Sequence, residues 1–270
     1  MGLTKPRVPV DETPINRDVL ARILAHAPEQ LILVGGQALA FWMVRFGIGP
    51  KSRRDEQLLA SITSDVDFLG STTHALALAR ALGARRILPD KHAMTALAAQ
   101  VRITASGGLE HNIDVLHQIY DIGGLRKSIV FTRRVRRRAL LVQLNDAEDA
   151  KTLRILHPFD VLASRIQNAA GLIESKGPHV VTQARWAVKV ARHALEQLAR
   201  ARNKQADRPG AVAAEIFRLA TSRAGRIVRE QHAIEVADAI PFKLLIKKAA
   251  GFEKQAESMR AAFERGGHRA

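Results

Sequence analysis

The stretch ITSDVDFLG (62–70) constrains the fold most, because it sets two carboxylates, Asp65 and Asp67, two positions apart inside an apolar run. Successive side chains of a strand point to opposite faces, so both acids share one face and Val66 and Phe68 share the other. Aspartate is uncommon in strands, and two carboxylates roughly 7 Å apart repel each other unless a cation lies between them. The stretch therefore predicts a strand that is buried on one face and open on the other to a divalent cation with oxygen ligands.

Two further segments predict the rest of a phosphate-binding site. In LVGGQA (33–38), an apolar strand runs into Gly35 and Gly36 and then into a helix. Glycines let the backbone approach a ligand closely, and a helix N-terminus offers free amides and a positive dipole end to phosphate. In NIDVL (112–116), Asp114 is a third acid between apolar strand residues. Three acids on adjacent strands would hold one or two Mg²⁺ ions, which bridge triphosphate oxygens.

The order of the predicted elements divides the chain near residue 150. Before that point helices alternate with short β-like runs, and a Gly-Gly turn between runs 95–103 and 111–119 predicts a hairpin. Two more β-like runs are predicted around an arginine cluster in 127–145. Beyond that point the apolar residues recur with helical periodicity. The sequence therefore predicts an α+β protein, with a mixed sheet and flanking helices in 1–150 and an all-helical domain in 151–270.

The charge of the chain is strongly positive and unevenly distributed. Lys and Arg total 42 against 26 acids, a net charge of +16, of which residues 1–120 contribute +2 and residues 181–270 contribute +9. Such a basic C-terminal half favours a polyanionic partner, with nucleic acid first. Aromatic residues make up only 4% of the chain, so contacts to phosphates are expected rather than base stacking. The cluster RRVRRR (133–138) fits an exposed strand or loop edge and a phosphate-binding patch equally well.

Several other classes of protein are disfavoured by missing residues and motifs. The chain has no cysteine, which excludes disulfides and thiolate metal sites, and its ten histidines form no H-x-x-x-H pattern. The G-x-S-x-G elbow and the Walker A motif are missing as well. No apolar run approaches the roughly 20 residues that span a bilayer. A cytoplasmic protein with no membrane partner is expected.

The ordered combination of LILVGGQALAFW, TSDVDFLG and NIDVL resembles the nucleotidyltransferase fold of the DNA polymerase β superfamily. More narrowly, it looks like the AbiEii and MenT-type toxin nucleotidyltransferases of bacterial type IV toxin–antitoxin systems. The resemblance implies Mg²⁺ or Mn²⁺ as cofactor and a nucleoside triphosphate (NTP) as substrate. It implies that Asp65 and Asp67 are metal ligands, and that Asp114 is the third ligand or the base near the attacking hydroxyl. The residues that would face the phosphates are Gly35, Gly36 and Ser64.

The resemblance extends to the start of the helical half. The stretch HPFDVLASRIQN (157–168) supplies the first helix, and Arg165 holds the basic position from which the family reaches the triphosphate. Lys176, one helix-length further on, would assist. The chain departs from the family in the following helix, where an acid is usual and this sequence has Gln183.

These features lead to an expected function. The chain is expected to be a metal-dependent nucleotidyltransferase that moves a nucleotidyl group from NTP to an acceptor hydroxyl. The positive charge makes RNA, the tRNA 3′ end in particular, the preferred acceptor, and the resemblance adds a toxin role and an antitoxin protein as a candidate partner. The alternatives are a nucleotidyltransferase that acts on a small molecule or a protein, and a non-catalytic nucleic-acid or partner-binding protein on the same fold. Nothing in the sequence separates the acceptors.

Overall fold

A computed structural model describes most of the 270 residues. The described residues are 15, 17–49, 65–90, 92–93, 95–104, 108, 110–144, 151–201, 208–249 and 251–267. The strands are β1 (Ile32–Leu33), β2 (Val66–Leu69), β3 (Arg85–Ile87), β4 (Leu97–Thr104), β5 (Glu110–Leu116), β6 (Leu140–Gln143) and β7 (Thr152–Ile155). The helices before β7 are α1 (Arg17–His26), α2 (Gly35–Arg45), α3 (Thr72–Leu82) and α4 (Leu125–Arg138). Those after it are α5 (Pro158–Gly171), α6 (Ile173–Lys176), α7 (His179–Arg200), α8 (Pro209–Thr221), α9 (Arg223–His232), a 3₁₀ turn (Val236–Ala239), α10 (Phe242–Lys248) and α11 (Phe252–Gly267).

The seven strands form one mixed sheet in the order β3-β4-β5-β2-β1-β7-β6. The pairs β2–β5 and β1–β7 are parallel, and the other neighbours are antiparallel. The hairpin predicted around the Gly-Gly turn is confirmed as the antiparallel pair β4–β5. The strands all precede residue 156 and the following described elements are helical, so the predicted mixed α/β character and helical C-terminal half are confirmed.

The two faces of the central strands differ sharply in polarity. Val66, Phe68, Ile113 and Val115 point to one face and are completely buried. Helix α3 packs against β4 of the same sheet. It is capped at its start by the Ser71 hydroxyl, which accepts a hydrogen bond from the backbone amide of His74, and at its end by Gly83, which has a left-handed backbone. The opposite face carries the register row in which the aspartates lie.

Helix α4 corrects one prediction made from the sequence. Of the two β-like runs predicted in 127–145, only the second is a strand, β6; the first, together with the arginine cluster, forms α4. The reason is the spacing of its buried side chains, Ser128, Phe131, Thr132 and Val135, which follows the 3.6-residue period of a helix. The β-branched and aromatic residues of that run suggested a strand locally, but burial of this stripe determines the structure. The stretch RRVRRR is therefore helical rather than a strand or loop edge.

The helical half packs against α2 through α5 and α7. Helix α5 is buried over most of its length and contacts α7, α9 and α2. An ionic cluster ties it to the N-terminal half: Arg134 and Arg138 of α4 contact Asp160 of α5 and Glu215 of α8. Within the described part of the chain, no helix has the length and apolar character needed to cross a membrane.

Candidate active site

Asp67 and Asp114 lie side by side on neighbouring strands. Asp67 in β2 is paired in register with Asp114 in the parallel strand β5. Paired residues of neighbouring strands share a face and are about 4.8 Å apart, so the two carboxylates project together from the sheet. Both residues are half-buried, whereas their neighbours on the opposite face are fully buried. The structure therefore brings together two of the three predicted acids.

Asp65 does not complete a preformed three-acid group. It lies directly before β2 and is exposed. Among the described residues, no set of three His, Cys, Asp or Glu side chains is arranged closely enough to hold a metal ion. Ser64, which was predicted to face the phosphates, lies outside the described residues. The centre of the site is therefore the pair Asp67 and Asp114.

The start of α2 lies directly against Asp67. Gly35 has a left-handed backbone, with φ of +68°, and a Cβ atom at this position would overlap the Asp67 carboxylate. The Val34 amide donates to the Asp67 carbonyl at 2.9 Å, which joins the strand that leads into α2 to the acid-bearing strand. Both Gly35 and Gly36 are buried in the first turn of α2, where backbone amides have no acceptor within the helix. Only glycine at position 35 allows a helix N-terminus to come this close to the acid pair.

Arg165, in the helical half, lies within electrostatic range of Asp67. It is 7% exposed, and its guanidinium donates to Gln183 Oε1 at 2.7 Å and to Ser164 Oγ at 3.1 Å. Its buried Nε has no hydrogen-bond partner among the described residues. Burial lowers the pKa of the guanidinium, and the negative charge of Asp67 opposes that shift. A buried cation with an unused donor is thus placed within electrostatic reach of the acid pair.

Gln183 determines how much of the Arg165 charge is neutralised within the protein. It is a neutral acceptor for Arg165, at the end of a buried hydrogen bond. A carboxylate in the same place would form an ion pair and cancel much of the arginine charge. With a neutral glutamine, Arg165 keeps its positive charge available to an anion that enters the site.

The surroundings of Asp114 raise the pKa of its carboxyl. Burial raises the pKa of its carboxyl above the ordinary value of 3.8, and the charge of Asp67 raises it further. A hydrogen bond from Gln100 and the positive charge of Lys176 act in the opposite direction. Lys176 is the exposed last residue of α6, so the structure brings a second predicted cation to the site from the helical half.

Gln100 was missed by the sequence reasoning. Its Nε2 donates to Asp114 Oδ1 at 3.0 Å, its Oε1 accepts from Arg102 Nε at 3.1 Å, and Arg102 also pairs with Glu110 at 3.6 Å. The bond from Arg102 fixes which end of the amide faces Asp114. The contact could have been found only from the hairpin register, because Gln100 is the cross-strand partner of Asp114. A hairpin predicted without its register does not reveal that contact.

The donor set fits a hard divalent cation. Asp67 and Asp114 offer carboxylate oxygens, the ligands that Mg²⁺ and Mn²⁺ prefer. The repulsion that raises the pKa of Asp114 is the cost that a cation bound between the two carboxylates would remove. The neighbouring amides of α2, with Arg165 and Lys176, offer positive charge to an anion. The site therefore combines ligands for a cation with donors for a phosphate.

The comparisons with known proteins give little help with identity. No family model matches the chain, and no curated protein matches it. Among solved structures, the chain is similar to the crystal structure of JHP933 from Helicobacter pylori, with 13% identity over 92% of this chain and 94% of that chain and a TM-score of 0.34. A likeness at this level carries no argument about fold or function, so the proposed function depends on the geometry of the site.

Proposed function

We propose that this chain is a nucleotidyltransferase with the nucleotidyltransferase fold of the DNA polymerase β superfamily, and that it transfers a nucleotidyl group from NTP to an acceptor hydroxyl. The observation that carries the proposal is the register of Asp67 opposite Asp114, with the first turn of α2 packed against Asp67 at Gly35. This arrangement supports the proposal because a triphosphate needs amides for the anion and acids for its metal ion.

Each residue of the site has a part in the proposed reaction. Asp67 and Asp114, with Asp65 beside them, would hold Mg²⁺ or Mn²⁺. When bound, such an ion supplies positive charge that polarises phosphoryl oxygens. The first-turn amides at Gly35 and Gly36 bind phosphate oxygens, and the predicted contact from Ser64 would add to them.

The remaining cations act on the leaving group. Arg165 and Lys176 place positive charge where the pyrophosphate departs, which stabilises the charge that develops there. Asp114 is either the third ligand or the base near the attacking hydroxyl, and in the second role it takes the proton of that hydroxyl. The acceptor oxygen then bonds to the α-phosphorus while the bond from that phosphorus to the bridging oxygen of pyrophosphate breaks.

RNA is the acceptor that the charge of the chain favours. The net charge of +16 attracts a polyanion, and the tRNA 3′ end offers a free hydroxyl for transfer. A toxin role with an antitoxin partner is part of the proposal on the strength of the family resemblance. A small-molecule or protein acceptor, and a non-catalytic binding role, are the alternatives that the same experiment separates.

The test is label transfer from α-labelled NTP. The full chain is incubated with Mg²⁺ or Mn²⁺, each of the four NTPs and total tRNA, and the products are separated by size and by nuclease and protease treatment. We expect label in RNA with the parent chain and none with Asp67→Asn. Asp90→Asn is the matched control, because this exposed loop acid undergoes the same chemical change away from the site. Label in protein or in small solutes would move the proposal to those acceptors, and no label under any condition would contradict it.

A further inference from the structure

The exposed aliphatic side chains of the described chain are concentrated on one segment. Seven large hydrophobic residues are substantially exposed, and five of them lie on α4 and β6. Leu125 and Val130 are each 64% exposed, and Leu141 is 57% exposed. Exposed apolar groups that cluster in this way are typical of a binding surface rather than of a solvated face. Leu140 points to the other face of β6 and lines a separate cleft beside Trp42 and Phe46, whereas Leu141 is paired with Arg154, whose side chain contacts α4. We define the α4–β6 surface as Leu125, Arg126, Lys127, Ile129, Val130, Arg133, Arg136, Arg137 and Leu141.

The same surface carries unpaired positive charge. Helix α4 has seven basic residues and no acidic one. Two of them, Arg134 and Arg138, contact carboxylates of the helical half. The other five are exposed, and none has a carboxylate within ion-pair distance in the described part of the chain; they are Arg126, Lys127, Arg133, Arg136 and Arg137. Within the described part of the chain, these five cations are therefore open to an external partner.

A cleft borders this surface and offers a place for an apolar side chain. It lies between α4, α5 and α8 and has a volume of about 540 Å³. Lys127 and Val130 contribute exposed side chains to it, and Phe159, Leu162 and Leu219 are among its apolar lining residues. Interfaces commonly depend on an apolar side chain that enters such a cleft within a ring of polar contacts.

We propose that the α4–β6 surface binds an acidic, aliphatic-bearing segment of a partner protein. Carboxylates of the partner would pair with the five unpaired cations, while its aliphatic side chains cover Val130 and enter the cleft. This combination of apolar contacts with arginine is what protein interfaces show. The proposal does not depend on the proposed transferase function, since none of its residues belongs to the acid pair or the phosphate donors.

Two other occupants fit the surface less well. RNA would account for the cations but not for the aliphatic residues, because nucleic-acid interfaces are more polar than protein interfaces. A second copy of this chain, docked symmetrically, would place the same five cations on both sides of the contact, which is electrostatically unfavourable.

The test is selection of peptides from a random displayed library on the full chain, followed by measurement of individual peptide affinities. We expect the selected peptides to combine Asp or Glu with Leu, Ile or Val. Two triple variants test the surface: Leu125→Ser with Ile129→Ser and Val130→Ser, and Arg133→Glu with Arg136→Glu and Arg137→Glu. Each should weaken the peptides by about tenfold or more. Because all six positions are exposed, the fold should persist, and circular dichroism checks this.

A matched control changes charge elsewhere. Lys243→Glu with Lys247→Glu and Lys248→Glu makes the same charge change on exposed residues of α10 and should leave peptide affinity unchanged. The proposal is overturned if no acidic aliphatic peptide is selected, or if the selected peptides bind both α4 variants as well as the parent. Total tRNA is measured in parallel. If tRNA binding falls in the arginine variant while the serine variant binds the selected peptides normally, the surface binds RNA and the protein partner is wrong.

Discussion

Two arginine systems of this molecule differ in what neutralises them. Arg134 contacts the carboxylates of Asp160 and Glu215 at 2.8 and 2.9 Å. Arg165, which is more deeply buried, donates to the neutral amide of Gln183, and its Nε has no hydrogen-bond partner in the described part of the chain. The Nε of Arg134 is likewise buried without a hydrogen-bond partner among the described residues, so the two arginines differ in their carboxylate contacts and not in an unused donor. The second system lacks a carboxylate hydrogen-bonded to it.

The difference separates a structural ion cluster from a ligand site. A buried positive charge costs free energy unless it is paired, so a carboxylate beside it stabilises the fold. The charge that acts on Arg165 is that of Asp67, which belongs to the acid pair and would be shared with a bound cation. A cation that remains only partly compensated beside a helix N-terminus is what a phosphate-binding site requires. Changes around Arg134 should therefore affect the stability of the fold, whereas changes around Arg165 should affect nucleotidyl transfer.

The largest effect is expected on transfer when the acid pair is changed. Asp67→Asn and Asp114→Asn each remove a ligand charge, and we expect nucleotidyl transfer to fall by roughly a thousandfold or more, which corresponds to about 4 kcal/mol in the barrier. Asp114→Asn should not reduce the free energy of unfolding, since the two carboxylates repel each other, whereas Asp67→Asn also removes the negative charge that compensates the buried Arg165. Label transfer and urea unfolding measure the two properties. Nucleotidyl transfer at the parent rate in both variants would show that Asp67 and Asp114 do not form the active site.

The next largest effect is expected on stability when the ionic cluster is broken. Arg134→Met leaves the fully buried Asp160 without its closest cation, and we expect a loss of about 3 kcal/mol in the free energy of unfolding at neutral pH. Arg138→Met is the matched comparison and should cost less, because Arg138 lies 3.9 Å from Asp160. Transfer per folded molecule should be unchanged in both. If Arg134→Met lost transfer without losing stability, the cluster around Asp160 would belong to the ligand site and would not be a structural ion cluster.

Acid pH should reduce the cost of Arg134→Met. Burial already raises the pKa of Asp160 above 3.8 against the opposing charges of the two arginines, and loss of Arg134 would raise it further. The folded state then holds a proton at Asp160 where the unfolded state does not, so the variant loses stability as pH rises through that range. Urea unfolding across the acid range should show the difference between variant and parent shrinking as the pH falls.

The sequence singled out Gly35, Asp67 and Asp114 because each depends on local chemistry, but it also grouped Asp65 with the two acids and did not reveal Gln100. Gly35 is needed where a strand turns into a helix, and the acids interrupt apolar strands, so Asp67 and Asp114 stand out without any knowledge of the fold. The structure places Gly35 against Asp67 and Asp114 beside it, with Arg165 and Lys176 in electrostatic reach.

The remaining features depend on register and on competition between local preference and burial. Gln100 acts on Asp114 only because one hairpin register pairs them, and a shift by one residue would point it to the other face. Helix α4 was misread because Ile129, Val130 and Phe131 favour a strand locally, whereas burial of Val135 and its helical neighbours favours a helix. Neither result can be read from composition or from a short window of sequence.

A smaller effect is expected when Arg165 is neutralised rather than removed. Gln183→Glu would pair the guanidinium with a carboxylate, as in the ionic cluster, and so withdraw its charge from the phosphates. We expect transfer to fall by roughly tenfold to a hundredfold, with a raised KM for NTP and no loss of stability. Gln197→Glu, an exposed position on the same helix, is the matched control and should have parent kinetics. Parent kinetics for Gln183→Glu would show that an uncompensated Arg165 is not needed.

The smallest effect is expected on the pH dependence that Asp114 gives to the free energy of unfolding. The pKa of folded Asp114 lies above 3.8, so the folded parent binds more protons than the unfolded chain just above that value. The contribution of Asp114 to the free energy of unfolding therefore falls as pH rises through this range, and ionised Asp114 costs stability at neutral pH. Asp114→Asn does not titrate, so it should be slightly more stable than the parent at neutral pH and should lose that advantage as the pH falls to about 4. An Asp114→Asn variant less stable than the parent at neutral pH would mean that the hydrogen bond from Gln100 and the charge of Lys176 outweigh burial and repulsion.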